Sequence, residues 1–395
     1  MGGHARSAGR ARRPRICAHR VVHPAAGVSR GGCGREVRGS AASNGGFHKE
    51  RAVKQFSAGQ LVRLVGISAV VWAVLAGACL CVGSTGVGWP TWTQVQDRLE
   101  PVLLASLIGA ALAAAGVVYQ AILRNPLADP YLLGVSSGAS LAAYLWRFPA
   151  AAAVGATALG AAGGAVSQQV FAFVGAMLAV AVVFALASRR GKLEPLTLLL
   201  VGVIVNAVNG SIFMLVNSIS RDMAAQAGGA FTFLVGGIQT NLTTAQKVVP
   251  AIAIAAGWVV LLYLAGQLNV AALAESEAQS LGVRIHRLRW VAMVVASAVT
   301  ASAVAISGPI GFVGLVCPHL GRLMVGTDRR RLLPLATALG AGLLAAADAA
   351  SRWLLGATFA QTLLPVGVLT GMLGGPFFLL LLYQQRTRAA AEVGR

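Results

Sequence analysis

The stretch LVGISAVVWAVLAGACLCVGSTGVGWPTWTQVQ, residues 64–96, contains no Asp, Glu, Lys or Arg. Its first part, up to Leu80, is an unbroken apolar run of the length needed to cross a bilayer as a helix, about 20 residues. The Gly83 to Pro90 segment then punctuates it with turn formers. Further charge-free runs follow at 101–123, 130–146, 148–188, 195–220, 223–246, 248–274, 290–321, 332–347 and 353–385. The longer runs are divided by Gly163, Gly164 and Ser167, and by Ser307, Gly308 and Pro309. Taking 223–246 as a short Gly-rich extracytoplasmic segment leaves about ten spans. They are expected near 61–82, 102–122, 131–146, 168–188, 196–216, 249–267, 288–306, 311–325, 332–350 and 362–383.

Composition agrees with that reading. Only 11% of the 395 residues are charged and 56% are hydrophobic, with a mean hydropathy of +0.72. Soluble domains carry about 25% charged residues, so a large soluble enzyme is excluded. The expected fold is an all-α polytopic membrane protein in the cell (plasma or inner) membrane. Residues 1–60 form a basic N-terminal tail, 61–385 the transmembrane domain, and 386–395 a short C-terminal tail. The N-terminal tail is rich in Gly, Ser, Ala and Arg, lacks apolar periodicity, and is expected to be disordered. It carries no apolar core near its start of the kind a secretory signal has.

The net charge of +20 invites a nucleic-acid reading, but its placement makes that unnecessary. With an even number of spans and a cytoplasmic N-terminus, the outside keeps Arg98, Arg147, Arg221, Lys247 and Arg352. The remaining basic residues of the 32 fall inside. That is the positive-inside pattern, and it puts both termini in the cytoplasm next to anionic lipid.

The spans carry little chemistry. No metal pattern is formed by His4, His19, His23, His48, Cys17 and Cys33, and Cys317-Pro318-His319 near a helix end reads as structural. No catalytic, cofactor or metal residue is assigned. Asp348 and Arg352 are four apart and can pair on one helix face. An integral membrane enzyme would need a cluster of His, Asp or Glu at membrane depth. An ion-coupled secondary transporter would need mid-span carboxylates, and only Asp348 comes close. No phosphate loop is present, so any nucleotide-driven work requires a separate ATPase chain.

Four stretches are unusual for membrane depth or for a cytoplasmic connection: NPLADPYLLGVSSGA (125–139), AESEAQSLGV (274–283), SGPIGFVGLVCPHLGR (307–322) and LPVGVLTGMLGGPFF (364–378). Prolines and glycines there interrupt helices, which lipid tolerates only where backbone is buried in protein or lines a cavity. In order and spacing these stretches resemble the FecCD-type permeases, the ten-span subunits of ATP-binding cassette importers for iron–siderophore, haem or vitamin B12. The resemblance runs from about Leu61 to Tyr383.

It implies a homodimer or paired heterodimer, two separate ATPase subunits, an extracytoplasmic substrate-binding protein, and a path between the permease copies near the fifth and tenth spans. Fe(III)–siderophore is the commonest cargo it implies, with haem and vitamin B12 as alternatives. It places a cytoplasmic gate at Asn125 and Leu127 and at Pro195 and Thr197. The coupling loop to the ATPase falls on Leu268 to Val283, with Ala274, Glu275, Leu281 and Gly282 at its centre. Docking of the binding protein falls on Arg98 and Arg352. Three departures from the family pattern stand out: Arg98-Leu99-Glu100-Pro101 keeps one arginine where two are frequent, Leu363-Leu364-Pro365 opens the last span, and Phe233 stands where Trp is common. Glu100 is expected to weaken Arg98 as an anchor.

Overall fold

The computed structural model describes residues 58–83, 86–146, 163–189, 192–219, 235–272, 284–358 and 364–393. Residues 1–57 of the expected N-terminal tail and the centre of the expected coupling loop, with Ala274, Glu275, Leu281 and Gly282, lie outside the described residues, and 58–60 open the first helix.

Ten α-helices occur among the described residues: α1 (Ala58–Leu80), α2 (Trp92–Ile122), α3 (Val135–Leu145), α4 (Gly163–Ala187), α5 (Pro195–Ile219), α6 (Thr244–Val270), α7 (Ile285–Ser307), α8 (Val313–Val325), α9 (Arg329–Thr358) and α10 (Val366–Val393). Each coincides with one expected span. Seven are long and apolar enough to cross a membrane. Two minimal antiparallel hairpins, β1 (Val82–Gly83) with β2 (Gly86–Val87) and β3 (Ser188–Arg189) with β4 (Lys192–Leu193), close the turns after α1 and α4.

Three boundaries differ from the sequence reading. The third span is split. A 3-10 helix over Pro130–Leu133 precedes an α3 of 11 residues, about 16 Å long at 1.5 Å per residue. Pro130 fixes the first turn, and Gly134 at φ 80° supplies a left-handed joint that a residue with a Cβ adopts at a penalty. The second helix starts ten residues earlier than expected and passes through Pro101. Its start is set by Thr91 and Gln94, whose Oε1 accepts from the Thr91 N–H at 3.0 Å. Thr243 and Gln246 repeat this at α6, at 2.9 Å. Both are capping-box spacings, legible in the sequence. Finally, α10 continues to Val393, so residue 385 is not a structural boundary.

The centre of the bundle is α2, packed on α9, α7 and α8. Small residues permit the approach: a Cβ at Gly109 would overlap the Gly340 carbonyl, and one at Gly116 would overlap the Gly314 carbonyl. In lipid the hydrophobic effect does not drive helices together, so close van der Waals contact and interhelical hydrogen bonds carry the association. One such bond joins the Tyr119 hydroxyl to Ser297 Oγ at 2.7 Å, with both residues fully buried. Tyr119→Phe leaves that serine without its partner. It is expected to destabilise the fold by about 1–2 kcal/mol, read as a lowered unfolding midpoint in a detergent titration. An unchanged midpoint would show that the bond contributes nothing net.

Candidate translocation path and docking residues

Irregular backbone meets inside the bundle, where lipid would otherwise forbid it. Asp129 caps the 3-10 helix, accepting from the Tyr131 N–H at 3.0 Å. The Tyr131 hydroxyl accepts from the backbone N–H of Ile310, in the α7–α8 connection. That connection turns at Gly308, φ 67°, and Phe312, φ 68°. Gly237 N donates to Ser307 O at 2.8 Å, and Gly367 N donates to Gly236 O at 2.9 Å. Three non-helical pieces, around Gly236, Pro309 and Pro365, are thus tied together by their own backbones. A Cβ at Gly236 would overlap Pro309 O, and one at Gly367 would overlap Val235 O.

A polar seam joins this knot to α5. Asn206 Nδ2 donates to Tyr131 O at 3.0 Å, Asn209 Nδ2 to Ser137 Oγ at 3.0 Å, and the Tyr144 hydroxyl to Asn217 Oδ1 at 3.1 Å. The seam uses amides and hydroxyls and no charge, so it holds the broken helices without fixing an ion in the membrane. Sequence reasoning missed these residues. Three asparagines within one apolar span were the available signal, because uncharged polar groups in lipid mark interhelical bonds.

The residues assigned to the cytoplasmic gate sit in two self-closed turns. Asn125 Oδ1 accepts from Leu127 N at 2.9 Å, after Arg124 at φ 49°. Pro195 is the first residue of α5, where its missing N–H is harmless. Thr197 Oγ1 donates to Glu194 Oε2 at 2.9 Å. No hydrogen bond joins the two turns among the described residues.

The root of the expected coupling loop is anchored. Asn269, at the end of α6, donates from Nδ2 to Asp328 Oδ1 at 2.6 Å, and its Oδ1 accepts from Arg329 N at 2.9 Å. One amide thereby clamps the α6 end to the α8–α9 turn.

On the outer side, Arg98 and Arg352 are both engaged within the protein. Arg98 Nη1 donates to Leu80 O at 2.8 Å, and its guanidinium packs over Gly83. Glu100 pairs with Lys247, a clasp between α2 and α6. Arg352 Nη2 lies 2.7 Å from Asp348 Oδ2, with side-chain exposures of 16% and 7%. The contact is a close ion pair whose angle falls short of a hydrogen bond. Its low exposure makes it a desolvated pair rather than a rim contact. Among the described residues no group of three or more His, Cys, Asp or Glu is placed to hold a metal.

Residues 73–384 match the model of the FecCD transport family. The chain belongs to that family. As a FecCD permease it is a multi-pass protein of the plasma membrane. It is 38% identical over 309 residues to the cobalamin import system permease protein BtuC of Halobacterium salinarum, covering 76% of this chain and 77% of that one. It is 38% identical over 306 residues to the hemin transport system permease protein HmuU of Yersinia pestis, covering 75% and 84%. A solved structure, described as an inward-facing conformation of a metal-chelate type ABC transporter, superposes with a TM-score of 0.66 at 29% identity. It covers 82% of this chain and 99% of that one. FecCD permeases work with ABC ATPases and substrate-binding partners in importers.

Proposed function

We propose that this FecCD permease carries an Fe(III)–siderophore inward, as one of two permease copies driven by separate ATPase subunits and supplied by an extracytoplasmic binding protein. The observation that carries the transport reading is the knot of irregular backbone at Gly236, Pro309, Tyr131 and Gly367, bonded to the asparagine seam of α5. Broken helices joined to α5 by amides and hydroxyls offer a bulky chelate a path lined with few fixed charges. The permease itself has no catalytic role, and hydrolysis belongs to the ATPase chains. The segment 268–283, rooted at Asn269, is the contact for the ATPase. The turns at Asn125–Leu127 and Pro195–Thr197 form the cytoplasmic gate. Arg98 and Arg352 receive the binding protein. The apolar faces of α5 and α10, with Leu196, Val203, Met372 and Leu379 exposed, meet the second copy.

The test is uptake into proteoliposomes holding the permease with its ATPase and binding protein. ATP-dependent accumulation of radioiron as a siderophore complex, with no accumulation of haem or cobalamin, is the expected outcome. Haem or cobalamin uptake without iron–siderophore uptake would replace the cargo and leave the importer reading intact.

A further inference from the structure

At the basic end of the bundle, the end that the positive-inside pattern places in the cytoplasm, a groove of about 410 Å³ opens between α1 on one side and the α8–α9 turn on the other. Gln60, Arg63, Leu64 and Ile67 line its α1 wall. They stand at i, i+3, i+4 and i+7, so they form one stripe along the helix. Met324, near the end of α8, and Arg331, in the first turn of α9, line the other wall.

The stripe changes character with depth. Gln60 and Arg63 lie in the first two turns of α1, and Ile67 lies about 6 Å deeper at 1.5 Å per residue. Ile67 and Met324 are 53% and 66% exposed, so they face acyl chains rather than protein. Arg63 and Arg331 are exposed too, and they reach the groove from different helices. Among the described residues no carboxylate lines the groove, and no ion pair uses Arg63. Arg331 has Asp328 Oδ2 beside it at 3.9 Å. The other oxygen of that carboxylate is turned away, accepting from Asn269 Nδ2 at 2.6 Å and from the Arg330 N–H at 3.0 Å. Two cations above an apolar floor, open to lipid, complement an amphiphile with an anionic head. A zwitterionic lipid brings an ammonium that no carboxylate in the groove receives. Free phosphate leaves the apolar floor uncovered. The cytoplasmic leaflet supplies anionic lipid, and basic pockets between helices on that side suit its headgroups.

We propose that this groove is a binding site for one anionic phospholipid of the cytoplasmic leaflet. Its phosphodiester bridges Arg63 and Arg331, whose planar guanidinium forks suit phosphate oxygens, and an acyl chain lies along Leu64, Ile67 and Met324. The bridge runs from α1 to α9. The α1 span is only 6% buried, so the lipid adds a clasp where the protein's own packing is sparse.

The experiment uses the full chain in a neutral detergent, titrated with dioleoylphosphatidylglycerol, dioleoylphosphatidylcholine or inorganic phosphate. Native mass spectrometry counts bound lipids, and a thermal melt follows stability. One phosphatidylglycerol is expected to bind ahead of a weaker background, to raise the melting temperature, and to bind tighter than phosphatidylcholine by about tenfold or more, the scale of two basic contacts. Arg63→Gln and Arg331→Gln should each weaken it about fivefold, the scale of one basic residue at an anionic surface, and reduce the stabilisation. Arg287→Gln removes an exposed charge of the same sign outside the groove and should change neither. The basic tail is present in every variant, so its attraction for anionic lipid cancels in the comparison. An equal loss in Arg287→Gln would reduce the effect to general surface charge and overturn the site. So would equal affinity for the two lipids, or the same stabilisation by inorganic phosphate.

Discussion

Replacing Gly116 by alanine is expected to leave almost no folded protein, although alanine is the better helix former by about 1 kcal/mol. The added methyl would overlap the carbonyl oxygen of Gly314. The obstacle is backbone, so no side chain can swing aside. The α2–α8 contact must open, and α2 is the most enclosed span, with 83% of its apolar window buried. Overpacking costs about 1–3 kcal/mol even where side chains can adjust, and here they cannot. Gly66→Ala is the control, because a Cβ at Gly66 meets nothing within 4 Å. The measurement is the monodisperse fraction after detergent extraction, followed by a thermal melt. Gly66→Ala should match or exceed the parent. A Gly116→Ala protein that melts with the parent would mean that the helices are less closely set than described.

Asp348→Ala is expected to destabilise the protein by about 3–5 kcal/mol, the scale for removing one partner of a buried ion pair. It leaves the Arg352 guanidinium, 16% exposed, without its counter-charge. Arg352→Ala should do nearly the same by stranding Asp348. Loss of binding-protein affinity in Arg352→Ala would therefore be ambiguous taken alone. The double replacement Asp348→Leu with Arg352→Leu resolves it, since apolar residues in place of a buried pair are often neutral or stabilising. The double variant should recover the melting temperature. If Arg352 also receives the binding protein, that variant melts normally yet binds it weakly, and the parent's affinity falls with salt. Arg98→Ala, which spares the pair, should weaken docking less. A double variant with full affinity would reduce Arg352 to a structural role.

The helices were legible because lipid imposes a strong rule: apolar residues for about 20 positions and charges only at the ends. Charge-free runs therefore located every helix from α1 to α10. Irregularity was legible only in part. Pro126 and Pro130 announced a break before α3, but not that a 3-10 turn capped by Asp129 would follow. Gly236 lies in the Gly-rich 223–246 segment and Gly367 in the interrupted last span, but that their lack of a Cβ admits the Pro309 and Val235 carbonyls from distant chain was not legible. Such partners are set by tertiary packing, which periodicity does not encode. The Lys247 partner of Glu100, 147 residues away, was hidden for the same reason. The family motifs named gate, coupling and docking positions that no spacing rule would have singled out.

The amide of Asn269 gives the cytoplasmic side a mechanical character. It grips Asp328 and the Arg329 N–H together, and its own helix ends one residue later. A push delivered at Ala272 therefore has a very short lever arm before it reaches a second hairpin. If 268–283 receives the ATPase, that push would be passed to α9, which carries Asp348 towards its other end. On the proposed role of residues 268–283, work done on the cytoplasmic face would reach the opposite face along α9. Asn269→Ala would break that link while leaving every residue of the path untouched.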